Sequence, residues 1–234
     1  MRTFLSMAGG VAAAMLVGAA QAGPMTISLT SGAGLEGLGS FTGSMQWNYA
    51  GQGATYGLLS VTLTNTSSVH GYLTAFALKG PSSGFTYAKD SAAAPAQNFG
   101  MIGGGANPAG TVSAAPWGSY TFGASTSSSW LGGGTPLKGL DVGQTGTVVF
   151  KVSALASLLG GLDATSFFSG AGGTPEFVVR FRGFDNGGSD KVVAMQQQQP
   201  PPTVVPVPLP AAMAATGLLG LGVLRRRRAA AAGR

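Results

Sequence analysis

The chain has 234 residues, 13 Lys and Arg against 7 Asp and Glu, one histidine and no cysteine. A chain without cysteine and with one histidine cannot assemble the usual zinc ligand sets or a disulfide framework. Its net charge of +6 belongs to the two ends, because seven bases balance seven acids between Gly23 and Gln199; the body therefore lacks the basic surplus that nucleic-acid binding requires.

The first 22 residues predict a secretory signal peptide. Met1 and Arg2 form a short positive start, Phe4 to Ala20 is apolar, and Ala20-Gln21-Ala22 is a small-x-small site for signal peptidase. The mature chain is expected to start at Gly23.

Residues 23–195 predict one antiparallel, all-β domain, a β-sandwich of the jelly-roll kind. In Tyr56–Thr66, Leu59, Val61 and Leu63 share one face while Thr62 and Thr64 share the other, the period of two of a half-buried strand. Thr147–Val152 repeats this with Val148, Phe150 and Val152. In Glu176–Phe184, Phe177, Val179 and Phe181 alternate with Val178, Arg180 and Arg182, which predicts an apolar inner face and a solvated arginine face. Weaker strand patterns occupy Met25–Thr30, Ser44–Tyr49, Gly71–Leu78, Phe85–Ala88 and Ser119–Phe122. Glycine- and serine-rich turns lie between them, an arrangement of short strands that points to a sandwich. Leu155, Leu158, Leu159 and Leu162 have helical spacing, yet Gly160 and Gly161 restrict them to a turn or two. A body of about 180 residues buries roughly 70% of its unfolded surface, enough for a core without disulfides.

Few residues within this body suggest chemistry. His70, in the loop between two predicted strands, reads as a solvated turn residue, and no serine sits in a G-x-S-x-G elbow. Glu36, Asp90, Asp141, Asp163 and Glu176 are the carboxylates from which a glycosidase pair would have to come, and their spacing selects no pair. Asp185, Asn186 and Asp190, around Gly187 and Gly188, offer oxygen ligands for calcium but without the spacing of the twelve-residue calcium loop; an Asn-Gly hairpin turn explains the same residues better. Trp47 and Tyr49 share a strand face, and Trp117, Tyr120 and Trp130 flank glycine-rich loops. These aromatics read as core and loop anchors before they read as a sugar-stacking surface. No cofactor is expected.

Residues 196–204, glutamines followed by prolines, predict an extended linker. Residues 205–228 then combine three features in fixed order. Val205, Pro206, Val207, Pro208, Leu209, Pro210 and Ala211 form a proline-spaced motif; the uncharged run continues to Leu224; Arg225, Arg226, Arg227 and Arg228 follow. The apolar run predicts a short transmembrane helix beginning near Pro210, close to the ~20 residues a bilayer needs. Each arginine would cost roughly 2.5–3.5 kcal/mol at the bilayer centre, so the cluster acts as a membrane stop, with 229–234 as a cytoplasmic tail.

That order of motif, apolar helix and arginine cluster resembles the PEP-CTERM class of bacterial sorting signals, and Val207–Ala211 looks like its VPLPA variant. The family's usual glutamate between prolines is Val207 or Leu209 here, so either Val205–Pro208 or Val207–Ala211 is the recognised unit. The resemblance implies processing by an exosortase-type enzyme after export across the inner membrane of a Gram-negative bacterium. The membrane-anchored precursor would yield a mature form at the cell surface or in an exopolysaccharide matrix; a permanent anchor is the alternative. Residues 122–150 and 177–192 look, less specifically, like segments of secreted β-rich domains upstream of such tails, which implies a common fold and no activity. The expected function is that of a non-catalytic exported protein with exopolysaccharide as a partner and no nucleic acid. The alternative is a carbohydrate-binding module or glycan-active enzyme delivered by the same signal.

Overall fold

The computed structural model describes residues 25–51, 53–132, 135–168 and 175–197. The expected signal peptide with Ala20 and Ala22, the motif from Val205 to Ala211, the apolar run after it and the arginines Arg225 to Arg228 lie outside the described residues. Among the described residues no helix is long and apolar enough to cross a membrane.

The alternating segments form strands where their periodicity places them: β1 (Met25–Gly34), β2 (Phe41–Tyr49), β3 (Tyr56–Asn65), β4 (Tyr72–Leu78) and β5 (Thr86–Ala92). Short strands follow, β6 (Gly100–Gly103), β7 (Gly105–Ala106), β8 (Val112–Ser113), β9 (Ser119–Tyr120) and β10 (Phe122–Ser125), then β11 (Thr145–Ser153), β12 (Phe177–Arg182) and β13 (Ser189–Gln197). Helix is confined to one four-residue turn, α1 (Ala156–Leu159), and three 3-10 turns, of which Ala164–Phe167 is capped by Asp163 and Ser166 reciprocally. The leucine-spaced segment thus makes only the turns that Gly160 and Gly161 allow.

Every main strand pairs antiparallel, in the order β6-β10-β4-β12-β13-β1-β2-β3-β11-β5-β7, with β8 and β9 as a separate hairpin. The antiparallel all-β body is as expected. Its strands, however, make one continuous ladder rather than two separate sheets. Register shifts in β1 between Ser31 and Gly34, in β12 against β4, and in β11 against β5 bend the ladder, as bulges do. The two edge strands, β6 and β7, are separated in sequence by Gly104 alone, so the sheet almost closes on itself as a barrel. Gly104 has φ +75°, and a Cβ there would run into the Met101 side chain; the step between the two edges depends on a residue without one.

Strand β13 has no counterpart among the predicted strands. Of its buried residues Asp190, Val192 and Ala194 only two are apolar, too short an apolar signal to register. The strand also takes in Gln196 and Gln197, which composition assigned to the linker, because pairing with Leu29 and Ser28 uses the backbone alone.

The core fills the interior. Leu59, Val61, Leu63, Val148, Phe150, Val152, Phe177, Val179 and Phe181 are all buried. Phe76 of β4 stacks on Phe177 at 5.7 Å and meets Phe150 of β11 edge-on at 6.0 Å, while Phe41 of β2 lies 6.4 Å from Phe177. Strands from separate parts of the ladder therefore meet across the core through the Phe76–Phe150 and Phe41–Phe177 pairs, while Phe76–Phe177 joins neighbouring strands; each pair is worth about 0.5–1.5 kcal/mol beyond its buried area. Strand β4 is buried on both faces apart from its first residue. Its outer alanines, Ala75 and Ala77, belong to a second apolar cluster with Ile102, Val112, Ala114, Tyr120, Trp130 and Val178.

Candidate functional site

The second cluster lies on the outer face of β4 and β12, where the sequence predicted solvent. Short side chains at Ala75, Ala77 and Val178 let two loops settle onto the sheet. One carries the β8–β9 hairpin with Tyr120 and Trp117; the other is the serine-rich segment from Thr126 to Gly132 with Trp130.

Cations from the sheet tie these loops down. Arg180 Nη1 donates to the Trp130 carbonyl at 2.5 Å, and Arg182 Nη1 donates to the Gly132 carbonyl at 3.1 Å. Lys191, paired with Arg180 across β12 and β13, donates through Nζ to the Ala115 carbonyl. Its own carbonyl accepts from Trp117 Nε1 at 3.4 Å. Lys79 Nζ stands 5.9 Å from the Tyr120 ring centre, within cation–π range. Four of the seven cations of the body thus surround one apolar cluster. The expected solvated arginine face is corrected accordingly: Arg180 and Arg182 are partly buried, because long aliphatic stems cover apolar surface while their heads reach loop carbonyls. Burial, followed by repulsion from Arg182, lowers the pKa of Arg180; burial, followed by repulsion from Arg180, lowers that of Lys191. Among the described residues no carboxylate lies within 4 Å of either.

Between the two loops opens a cleft of about 310 Å³. Ile102, Val112 and Trp130 supply its apolar lining, Leu131 stands exposed beside them, and Ser113 and Ser128 contribute hydroxyls. Trp130 is 3% exposed, and its Nε1 has no hydrogen-bond partner. Two further buried polar atoms of this region share that condition, Tyr120 Oη and Arg180 Nε. Burial drives the Tyr120 phenol pKa far above its ordinary value, so the group is a neutral hydroxyl.

The residues singled out for calcium are engaged separately. Asp190 is buried, and its carboxylate accepts from the backbone amides of Leu35, Glu36, Leu38, Gly39 and Lys191 at 2.7–3.0 Å. Burial alone would raise its pKa; the amides of Gly39, Glu36, Leu38 and Lys191 outweigh that and hold it below the ordinary value. Asp185 pairs with His70 Nδ1 at 3.3 Å, and Asn186 Oδ1 accepts from Gly188 N at 2.8 Å. The segment is a turn closed by Gly187 N on the Phe184 carbonyl, and of the Asn-Gly pair only Gly187 has positive φ. Among the described residues no group of three His, Asp or Glu side chains could hold a metal ion.

His70 is exposed, as expected of a turn residue, and lies between two aspartates. Its Nε2 is 3.8 Å from Asp141 and its Nδ1 faces Asp185, on opposite sides of the ring. Of the candidate carboxylates, Glu36 lies between β1 and β2, Asp90 in β5, Asp141 before β11 and Glu176 before β12, while Asp163 caps a 3-10 turn. Trp47 is buried against Phe167 at 5.2 Å, and the half-buried Tyr49 donates its hydroxyl to the Ala54 carbonyl at 3.1 Å. Trp47, Tyr120 and Trp130 are thus core residues, and Trp117 anchors a loop.

The sequence reading missed Asp190 as an organiser of residues 35–39 because its partners lie about 150 positions away. It missed Lys191 because β13, with only two buried apolar residues, was not recognised, so nothing placed Lys191 beside Arg180. Comparison with protein-family models, with curated proteins and with solved structures finds no match.

Proposed function

We propose that this chain is a non-catalytic exported protein, sorted by its C-terminal signal to the cell envelope or an exopolysaccharide matrix. The observation that carries the reading is the segregation of charge. A body of seven bases and seven acids is flanked by one apolar segment after Arg2 and another before Arg225 to Arg228. Such a chain suits export with a positive cytoplasmic stop. Its partners on this reading are signal peptidase at Ala22, an exosortase-type enzyme at Val205–Ala211, the inner membrane as a transient anchor, and exopolysaccharide.

The geometry of the body supports a binding or structural role. Asp190 and Asp163 serve loops and caps, His70 is held between Asp141 and Asp185, and Arg180 and Lys191 hold loop carbonyls. On this reading the bent ladder is a two-layer, jelly-roll-like sandwich, a rigid body that presents loops. The second reading, a carbohydrate-binding module carried by the same signal, is favoured by the cleft at Trp130.

Replacement of Arg225 to Arg228 by serine tests the sorting step. The variant is expected to accumulate as uncleaved or mislocalised precursor, since the positive stop is lost. Normal maturation of that variant would remove the basis of the proposal.

A further inference from the structure

We infer that the cleft between Ile102, Val112 and Leu131 binds a neutral saccharide, one hexopyranose unit of an uncharged polymer. The inference rests on the second reading above, a carbohydrate-binding module, and gives that module a site and a ligand class. A volume of about 310 Å³ lies at the lower end of the ~300–1,000 Å³ of small-molecule sites, which suits one or two sugar rings.

The lining selects the ligand by what it rejects. No residue that lines the cleft is charged, so an ion would give up hydration there without a counter-ion on the wall. A wholly apolar ligand is disfavoured as well. Ser113, Ser128 and Ser129 line the cleft, and among the described residues none of their hydroxyls has a hydrogen-bond partner, so a hydrocarbon ligand would strip them of water and return nothing. Each hydroxyl both donates and accepts. Ile102 and Val112 are buried in the same lining and Leu131 stands 59% exposed beside them, which adds C–H surface to the hydroxyls. A pyranose presents both kinds of surface on one small neutral ring: C–H faces for the aliphatic side chains, and hydroxyls that donate and accept around its edge.

The walls are braced by bonds that involve no ligand. Thr111 donates its hydroxyl to the Thr121 carbonyl at 2.7 Å, and Ser127 donates its own to the Ser129 carbonyl at 2.8 Å. Arg180 holds the Trp130 carbonyl from behind the cleft. Gly103, also in the lining, has φ +65°, and a Cβ there would strike Val112 and Thr111, so β6 approaches this wall as closely as a bare backbone allows. A cleft shaped by the fold spares the ordering cost that a loose one would add to binding.

The test titrates the purified full-length chain with two uncharged trisaccharides, cellotriose and maltotriose, and with trigalacturonate, reading heat and tryptophan fluorescence. At least one uncharged sugar is expected to bind ~5-fold or more tightly than trigalacturonate, with an affinity that salt leaves unchanged. Ser128→Ala, at an exposed position where the fold is not at stake, is expected to weaken binding about two- to tenfold. Ser128→Tyr is expected to fill the cleft and abolish binding, and Thr62→Tyr, on the outer face of β3, to leave it unchanged. Absent binding of both uncharged sugars would overturn the inference together with the carbohydrate-binding reading. Tighter binding of trigalacturonate, or an affinity for the uncharged sugar that falls as salt is raised, would overturn the neutral ligand class. Binding that Ser128→Tyr leaves unchanged would overturn the cleft alone, with the carbohydrate-binding reading left standing.

Discussion

On the outer face of β1, β2, β3 and β11 three successive rows of the register carry no charge, whereas the outer face of β4, β12 and β13 carries cations under a cover of loops. The first rows read Thr26, Gln46 and Ser60; Ser28, Ser44, Thr62 and Thr147; and Thr30, Thr42, Thr64 and Thr145. Neighbouring hydroxyls bond one another, Thr62 to Thr147 at 2.9 Å and Thr64 to Thr145 at 2.7 Å. The second face has alanines in β4, Val178 and two arginines in β12, and Lys191 in β13. Both faces belong to one sheet with one alternating pattern. What separates them is side-chain size: hydroxyls satisfy themselves and water, while alanines leave room for tryptophan and tyrosine to descend and arginines span the gap to the loop backbone. Loops, cations and a cleft coincide only on the covered face.

Substitutions graded across the sheet test that contrast. Phe181→Ala, in the core beneath both faces, is expected to cost ~3–5 kcal/mol in denaturant unfolding; a small effect would mean that the inner face is not shared. Asp190→Ala removes the acceptor for five amides, and about 3 kcal/mol is expected. The same group sets a pH dependence. Its folded pKa lies below the unfolded value near ~3.9, so its contribution is complete above that value and is lost as pH falls through the folded pKa. Thermal melts should therefore drop below about pH 4 in the unaltered chain and less steeply in Asp190→Ala. A flat profile would contradict the amide cage. Arg180→Ala leaves the Trp130 carbonyl without its donor, and ~1–2 kcal/mol is expected. Thr62→Ala should stay within about ±0.5 kcal/mol. If Arg180→Ala proves as neutral as Thr62→Ala, the covered face is solvated after all and the two faces are alike.

The fold was largely legible where apolar and polar residues alternate. In β3, β11 and β12 an inward apolar residue alternates with something else, and period two finds such strands from sequence alone. Strand β13 escaped because its buried apolar residues are few, and β6 to β8 because strands of two to four residues carry no periodicity. The nature of the outer face was not legible. Arginine at every second position has the same local pattern whether water or a loop lies over it, and only the tertiary arrival of residues 112–132 decides. The same holds for the cleft: Trp130 was visible as an anchor beside a serine-rich loop, but its unpartnered Nε1 is a property of packing. The Asn-Gly turn was legible in outline, since Gly187 supplies the positive φ that closes it. The role of Asp190 was not, because five amides from distant backbone leave no trace in spacing.

The central claim is that a neutral β-rich body is delivered outside the cell by its two terminal segments. Intact-mass spectrometry of the protein recovered from the envelope and the surrounding matrix tests it most directly. The account predicts a mature form that begins at Gly23 and has lost the segment carrying Arg225 to Arg228. A recovered protein that retains residues 1–22 and the arginine cluster intact would contradict it.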